Sequence, residues 1–126
     1  MTQEDKQLLL KDLCGRLPYG VIFKDECDEN LHEIYYIRDE DIYTRTYPNL
    51  PSWIETIKPY LRPISSMTEE EQDEFFDLII CVDNGKAVVE EDKIDAYNEF
   101  MYSHHFDYRG LIQKGLALEA PNGMYD

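Results

Sequence analysis

Basic residues are few beside the acidic ones: 12 Lys and Arg stand against 27 Asp and Glu in 126 residues, a formal net charge of −15. Nucleic-acid binding begins with basic patches that displace counterions from phosphates, so direct contact with DNA or RNA is not expected. The same field suits docking on a basic surface of a protein partner, including one that normally holds nucleic acid. Its plainest consequence is solubility. Cysteine is scarce as well. Cys14, Cys27 and Cys81 are odd in number, widely spaced and form no CxxC, the pattern of free thiols in a reducing compartment. No apolar run approaches the roughly 18 residues that a spanning helix requires. The opening "MTQEDKQLLLKDL" is acidic and amphipathic, without the basic and apolar regions of a signal peptide. The expected location is therefore the cytoplasm, away from membranes. Gly-rich phosphate loops, nucleophile elbows and calcium-binding EF-hand patterns are also missing.

What is present suffices for a core. Hydrophobic residues make up 43% and aromatics 13%, with ten tyrosines, so one folded domain over residues 1–126 is expected rather than a disordered chain. Residues 2–16 read as a helix: Thr2 can cap it, Glu4 and Asp5 suit its first turn, and Leu9, Leu10, Leu13, Cys14 and Leu17 recur at helical spacing. Gly15 and Pro18 are read as its stop. The period then changes to two, giving strands over 19–24, 32–38 and 41–47. A helical turn at 54–57 precedes residues 58–64, where Pro59 and Pro63 indicate an edge strand. Thr68 and Glu71 form a capping-box signature for a helix whose buried face is Phe75, Phe76, Ile79 and Ile80. "VDNGKAV" reads as a turn, and a further helix covers 91–103 with Ile94, Tyr97, Phe100 and Met101 on one face. The order of elements is α+β: an N-terminal helix (1–18), a small curved antiparallel sheet resembling an SH3-like partial barrel (19–65), and about three C-terminal helices (66–126).

The densest chemistry lies in "SHHFDYRGLI", residues 103–112. Adjacent histidines on a helix diverge, so His104 and His105 do not form an i, i+4 metal pair. His105 and Asp107 could act with His32 in a metal-dependent enzyme, but a structural reading explains more residues. Asp107 would cap a short helix over 108–114, with Leu111 and Ile112 inward and Gly115 as its left-handed stop. His104 and His105 would then end the preceding helix, interacting as cations with its free carbonyls. Tyr108 and Arg109 are left as the exposed members available to a partner. Among the acids, Glu70, Asp73 and Asp77 mark a charged helix face that could imitate the spacing of phosphates. The loop of Asp25, Glu26, Asp28 and Glu29 adds to that charge. Cys14 and Cys81 read as small core hydrophobes, and Cys27 as an exposed thiol blunted by its acidic neighbours.

The blocks "TQEDKQLLLKDLCGRLPYGV", "IKPYLRPISSMTEEE" and "HHFDYRGLIQKGLALEAPNGMYD" resemble a group of small acidic proteins from gut anaerobes, their phages and other mobile elements. The resemblance carries no assigned activity and transfers no site residue. It implies an accessory protein that acts by binding a host or phage protein. Residues 25–53 and 81–92 lie outside the resembling blocks and are where a specificity surface is expected. The functional expectation is thus a non-catalytic protein-binding module without a cofactor, contacting its partner through acids and exposed tyrosines such as Tyr35, Tyr43 and Tyr47. The competing expectations are a charge-mimicking inhibitor of a nucleic-acid-binding host protein and the metal enzyme of His32, His105 and Asp107.

Overall fold

A computed structural model describes residues 1–125. The first helix, α1 (Gln3–Arg16), starts where the sequence indicates: Thr2 Oγ1 accepts the Asp5 N–H at 3.0 Å, and the Asp5 carboxylate accepts the Thr2 N–H. These two reciprocal bonds satisfy amide groups that a helix start leaves open. Leu9 and Leu13 are fully buried against the sheet. Gly15 does not end the helix. The chain continues into a 3₁₀ turn, Leu17–Tyr19, and stops at Gly20, whose φ is +70°. Gly15 serves close approach instead, because a Cβ there would meet the Tyr102 ring at 2.5 Å. Cys14 points off the apolar stripe and is exposed, contrary to its reading as a core residue.

The sheet consists of β1 (Ile22–Asp25), β2 (Asp28–Arg38), β3 (Asp41–Thr44), β4 (Ser52–Trp53), β5 (Ile57–Leu61) and β8 (Leu118–Glu119), in the order β4-β3-β2-β1-β5-β8. All neighbours are antiparallel except β5 and β8. Strand alternation sends Phe23, Ile34, Ile42, Ile57 and Leu61 to the inner face under α1; a register shift between Ile34 and Tyr36 puts Tyr36 on the outer face, where it stacks on Tyr43. The sheet curves but does not close, since β4 and β8 do not pair. β3 ends at Thr44, short of Tyr47. β5 is interior rather than an edge, which corrects the reading of its prolines. Pro59 sits opposite Phe23, but β8 reaches only Tyr60 and Leu61. The proline therefore keeps one uncovered flank within an interior strand.

Beyond the sheet, α2 (Glu69–Leu78) carries the expected capping box: Thr68 Oγ1 accepts the Glu71 N–H, and Glu71 accepts the Thr68 N–H at 2.9 Å. Only Phe75 of its apolar residues is buried; Phe76 and Ile80 are exposed. "VDNGKAV" is the turn of a separate hairpin, β6 (Cys81–Asp83) with β7 (Lys86–Val88), in which Asn84 and Gly85 both have positive φ. Two consecutive left-handed residues suit a two-residue hairpin loop. Cys81 lies on this ribbon and is exposed, not core. Next, α3 (Ile94–Ser103) buries Phe100 and Met101 in a second apolar cluster with Met67, Phe75 and Phe106. Ile94 stays on the surface. Residues 108–114 form no helix, so two α-helices follow the sheet among the described residues, not about three. The described residues contain no helix long and apolar enough to cross a membrane.

Candidate functional site

The SHHFDYRGLI segment joins the two apolar clusters. At the end of α3, the Phe106 N–H donates to Met101 O and the His105 N–H to Tyr102 O, the paired bonds of a Schellman stop. The left-handed position of that stop is filled by His105, with φ +62°, where glycine is usual. Backbone pairing continues outward, from the Arg62 N–H to His105 O at 2.7 Å and from the Asp107 N–H to Arg62 O at 2.8 Å. His105 is 7% exposed, and its ring stacks on Tyr125 with centroids 3.6 Å apart. Its Nδ1 has no hydrogen-bond partner among the described residues. Burial, reinforced by the positive charges of Arg16, Arg62 and His104, lowers its pKa to about 4. His105 is therefore neutral at ordinary pH and does not act as a cation at the helix end. His104 finds a carboxylate rather than helix carbonyls, with Nδ1 3.0 Å from Glu71 Oε2.

Asp107 accepts from two backbone amides, Leu111 at 2.8 Å and Ile112 at 2.9 Å. These lie four and five residues ahead, too far for a helix N-cap. The segment is a capped turn, with Gly110 at φ +73° inside it and Gly115 at φ +75° closing it. Tyr108 and Arg109 turn inward. The Arg109 guanidinium donates to Asp12 Oδ1 at 3.1 Å and to the Tyr102 hydroxyl at 2.7 Å, and the Tyr102 and Tyr108 hydroxyls share a bond of 2.8 Å. Burial, with the Tyr102 bond, pushes the Tyr108 pKa up. Both residues are half-buried and engaged internally, rather than fully exposed as the sequence suggests.

The centre of this network was not singled out in the sequence. Asp12 and Arg16 are both 0% exposed and paired at 2.6 Å, and Arg16 also donates to Phe106 O at 2.5 Å. An acid and a base four residues apart on the Leu9–Leu13 stripe were the available signal. A second internal pair, Arg62 with Glu71, makes two bonds at 2.7 and 2.8 Å. The Arg62 guanidinium holds the Glu71 carboxyl down at about 2. SHHFDYRGLI is thus an internal joint whose polar groups face one another. His32 lies apart from it, bonded through Nε2 to Asp28 at 2.7 Å. The metal trio is not assembled, and the described residues contain no group of three His, Cys, Asp or Glu able to hold a metal.

A concave site of about 500 Å³ lies at the end of the curved sheet between the β1–β2 turn, residues 45–51 and the 3₁₀ turn Ile54–Thr56. Its lining includes Asp25, Asp28, His32, Tyr47, Leu50 and Trp53. The backbone explains its shape: the Glu26 N–H donates to Thr56 O at 2.9 Å, and the Tyr47 N–H donates to Thr44 Oγ1 at 3.1 Å. Trp53 and Leu50 are 62% and 70% exposed, and Tyr47 is exposed beside them with its ring edge-on to His32. Asp28 is held below the usual carboxylate range, first by the Asn30 backbone N–H and then by His32. Cys27 shares the pocket, but no hydrogen bond joins its sulfur to His32 among the described residues. A thiol without its base is not an activated nucleophile. The site can stack and accept hydrogen bonds.

The other candidates are dispersed. Tyr47 belongs to this pocket. Tyr43 and Tyr35 belong to the outer face, where Tyr43 stacks on Tyr36 at 4.4 Å and Arg45 covers Tyr35 at 4.7 Å. Glu70, Asp73 and Asp77 are exposed on α2. Protein-family models, curated proteins and solved structures were compared with the chain, and none matches.

Proposed function

We propose that this protein is a small, acidic, non-catalytic binding protein that docks on a protein partner, with the pocket around Trp53 at the centre of the contact. The single observation that carries this reading is the exposure of Trp53, Leu50 and Tyr47 together at the rim of a concave site. Large apolar and aromatic side chains around a pocket are the composition of binding hot spots, where burial by a partner recovers the free energy lost to water. The order β4-β3-β2-β1-β5, with a 3₁₀ turn between β4 and β5, supports the finer description of the sheet as an SH3-like partial barrel. The net charge supports a partner with a basic surface. An accessory role in the cytoplasm, for a phage or mobile element, agrees with the free cysteines and with the resemblance stated above.

A second reading is favoured by α2, whose Glu69, Glu70, Asp73, Glu74 and Asp77 are all exposed. Such a face would let the protein occupy the groove of a nucleic-acid-binding partner by imitating phosphates. One experiment separates the two. Captures from lysate with the wild type, Trp53→Ala and an Asp73→Asn/Asp77→Asn variant, each at low and high salt, should recover a partner that Trp53→Ala loses. Loss with the α2 variant alone favours phosphate mimicry, and retention by both variants removes both readings.

A further inference from the structure

Asp25 distinguishes this pocket from an ordinary surface dimple. It lines the cavity yet is only 8% exposed, and its Oδ1 accepts the Cys27 N–H at 3.1 Å. Its Oδ2 has no partner among the described residues. The atom is not sealed away from solvent, and Asp25 lines the cavity. Water can donate to that oxygen, and a cationic donor in its place would make a stronger, charge-assisted bond. None of the described lining residues is Lys or Arg. Asp28, the neighbouring acid, is already committed to Asn30 and His32. The remaining walls are aromatic, Trp53 and Tyr47, with Leu50 and Pro51 at the mouth.

We propose that the pocket receives an arginine side chain of the protein partner, with the guanidinium bonded to Asp25 and stacked against Trp53 and Tyr47. This rests on the docking function proposed above and names the chemistry of its contact. Three features select arginine. A planar guanidinium presents several N–H donors in a fixed fork, which suits a carboxylate in the lining of a cavity. It is more weakly hydrated than an ammonium and stacks on aromatic faces. The cavity volume falls within the range of sites that enclose a small group. The charge is complementary to a pocket bearing two acids and no strong base, on a chain of net charge −15.

Trp53 is the chain's only tryptophan, so its fluorescence reports the pocket directly. The probes are blocked tripeptides Gly-Arg-Gly, Gly-Lys-Gly and Gly-citrulline-Gly, with methylguanidinium as the free cation. The arginine peptide should change Trp53 emission saturably and bind roughly tenfold or more tightly than its citrulline counterpart, which is isosteric and uncharged. Asp25→Asn should remove that preference, and higher salt should weaken binding. Tyr47→Ser, whose side chain lies at the rim, gives a second variant if Asp25→Asn does not fold; it should weaken the arginine peptide through lost stacking. Equal binding of the citrulline or lysine peptide overturns the assignment to arginine, as does an Asp25→Asn variant that still prefers it. Methylguanidinium binding more tightly than the peptide would make the ligand a free cation and overturn the protein source. Absence of any response, together with a lysate partner that depends on Trp53, overturns the arginine proposal and leaves the docking reading standing.

Discussion

Replacing Asp107 by alanine removes two charge-assisted hydrogen bonds at once, to the Leu111 and Ile112 amides at 2.8 and 2.9 Å. Leu111 is fully buried, so its N–H finds no water in exchange. Hydrogen bonds to charged groups contribute about 1.5–3 kcal/mol each, and relief from burying the carboxylate offsets part of that loss. The expected cost is about 3 kcal/mol. An ordinary helix N-cap would be worth only about 1 kcal/mol, so the size of the effect distinguishes the capped turn from a helix. In a domain of this length the melting temperature should fall by roughly 10 °C. Asp107→Asn retains one accepting oxygen and should lose about half as much. Urea unfolding followed by Trp53 emission reads both variants, since m-values that stay constant show the change to be one of stability. A cost at or below about 1 kcal/mol for Asp107→Ala, or an Asn variant as stable as wild type, would refute this view of the segment.

Two further changes test the joint between the apolar clusters. His105 titrates near 4 in the folded chain against 6.5 ordinarily, so the unfolded chain binds its proton first as pH falls. Its contribution is complete above 6.5 and declines by about 1.4 kcal/mol per pH unit down to about 4, a slope that urea titrations should find reduced in His105→Asn. Asparagine is the appropriate replacement because it tolerates the left-handed backbone. Gly15→Ala improves helix propensity by about 1 kcal/mol, but its methyl would sit 2.5 Å from the Tyr102 ring. Overpacking of about 1–3 kcal/mol should dominate. The same substitution beside Tyr102→Ala should become stabilising, and a clash-free result in the wild-type background would count against this packing.

The elements that the sequence announced are those specified by short-range chemistry. The capping boxes of Thr2 with Asp5 and Thr68 with Glu71 start their helices because donor and acceptor lie three residues apart. Leu9 and Leu13 recur at helical spacing and are buried, and the alternation around Ile42 and Thr44 gives a strand. What escaped was decided at long range. Asp12 and Arg16 look like a surface pair in one dimension. Arg16 is buried with Asp12 beside it and Phe106 O, ninety positions away, accepting from its guanidinium. The segment 108–114 has helical composition, but Gly110 adopts positive φ and Asp107 reaches past the first turn. The candidate pocket was legible only in part: Tyr47 and His32 were singled out for other roles and Asp25 only as loop charge, while Asp25 and Trp53 acquire meaning from β1, β4 and the 3₁₀ turn that bring them together.

The tie between Arg16 and Phe106, and that of the Tyr125 hydroxyl to Ile22 N and Tyr60 O, also set the order of events during synthesis. A nascent chain that has exposed α1 and the first five strands still holds an arginine in its apolar face without the carbonyl that receives it. Its sheet likewise lacks the residue that bridges β1 to β5. The N-terminal half must therefore wait, incompletely packed, until residues 106–125 leave the ribosome, and this interval is where exposed strands are vulnerable to association. Vectorial translation makes a segment that emerges about ninety residues after α1 the one that locks it.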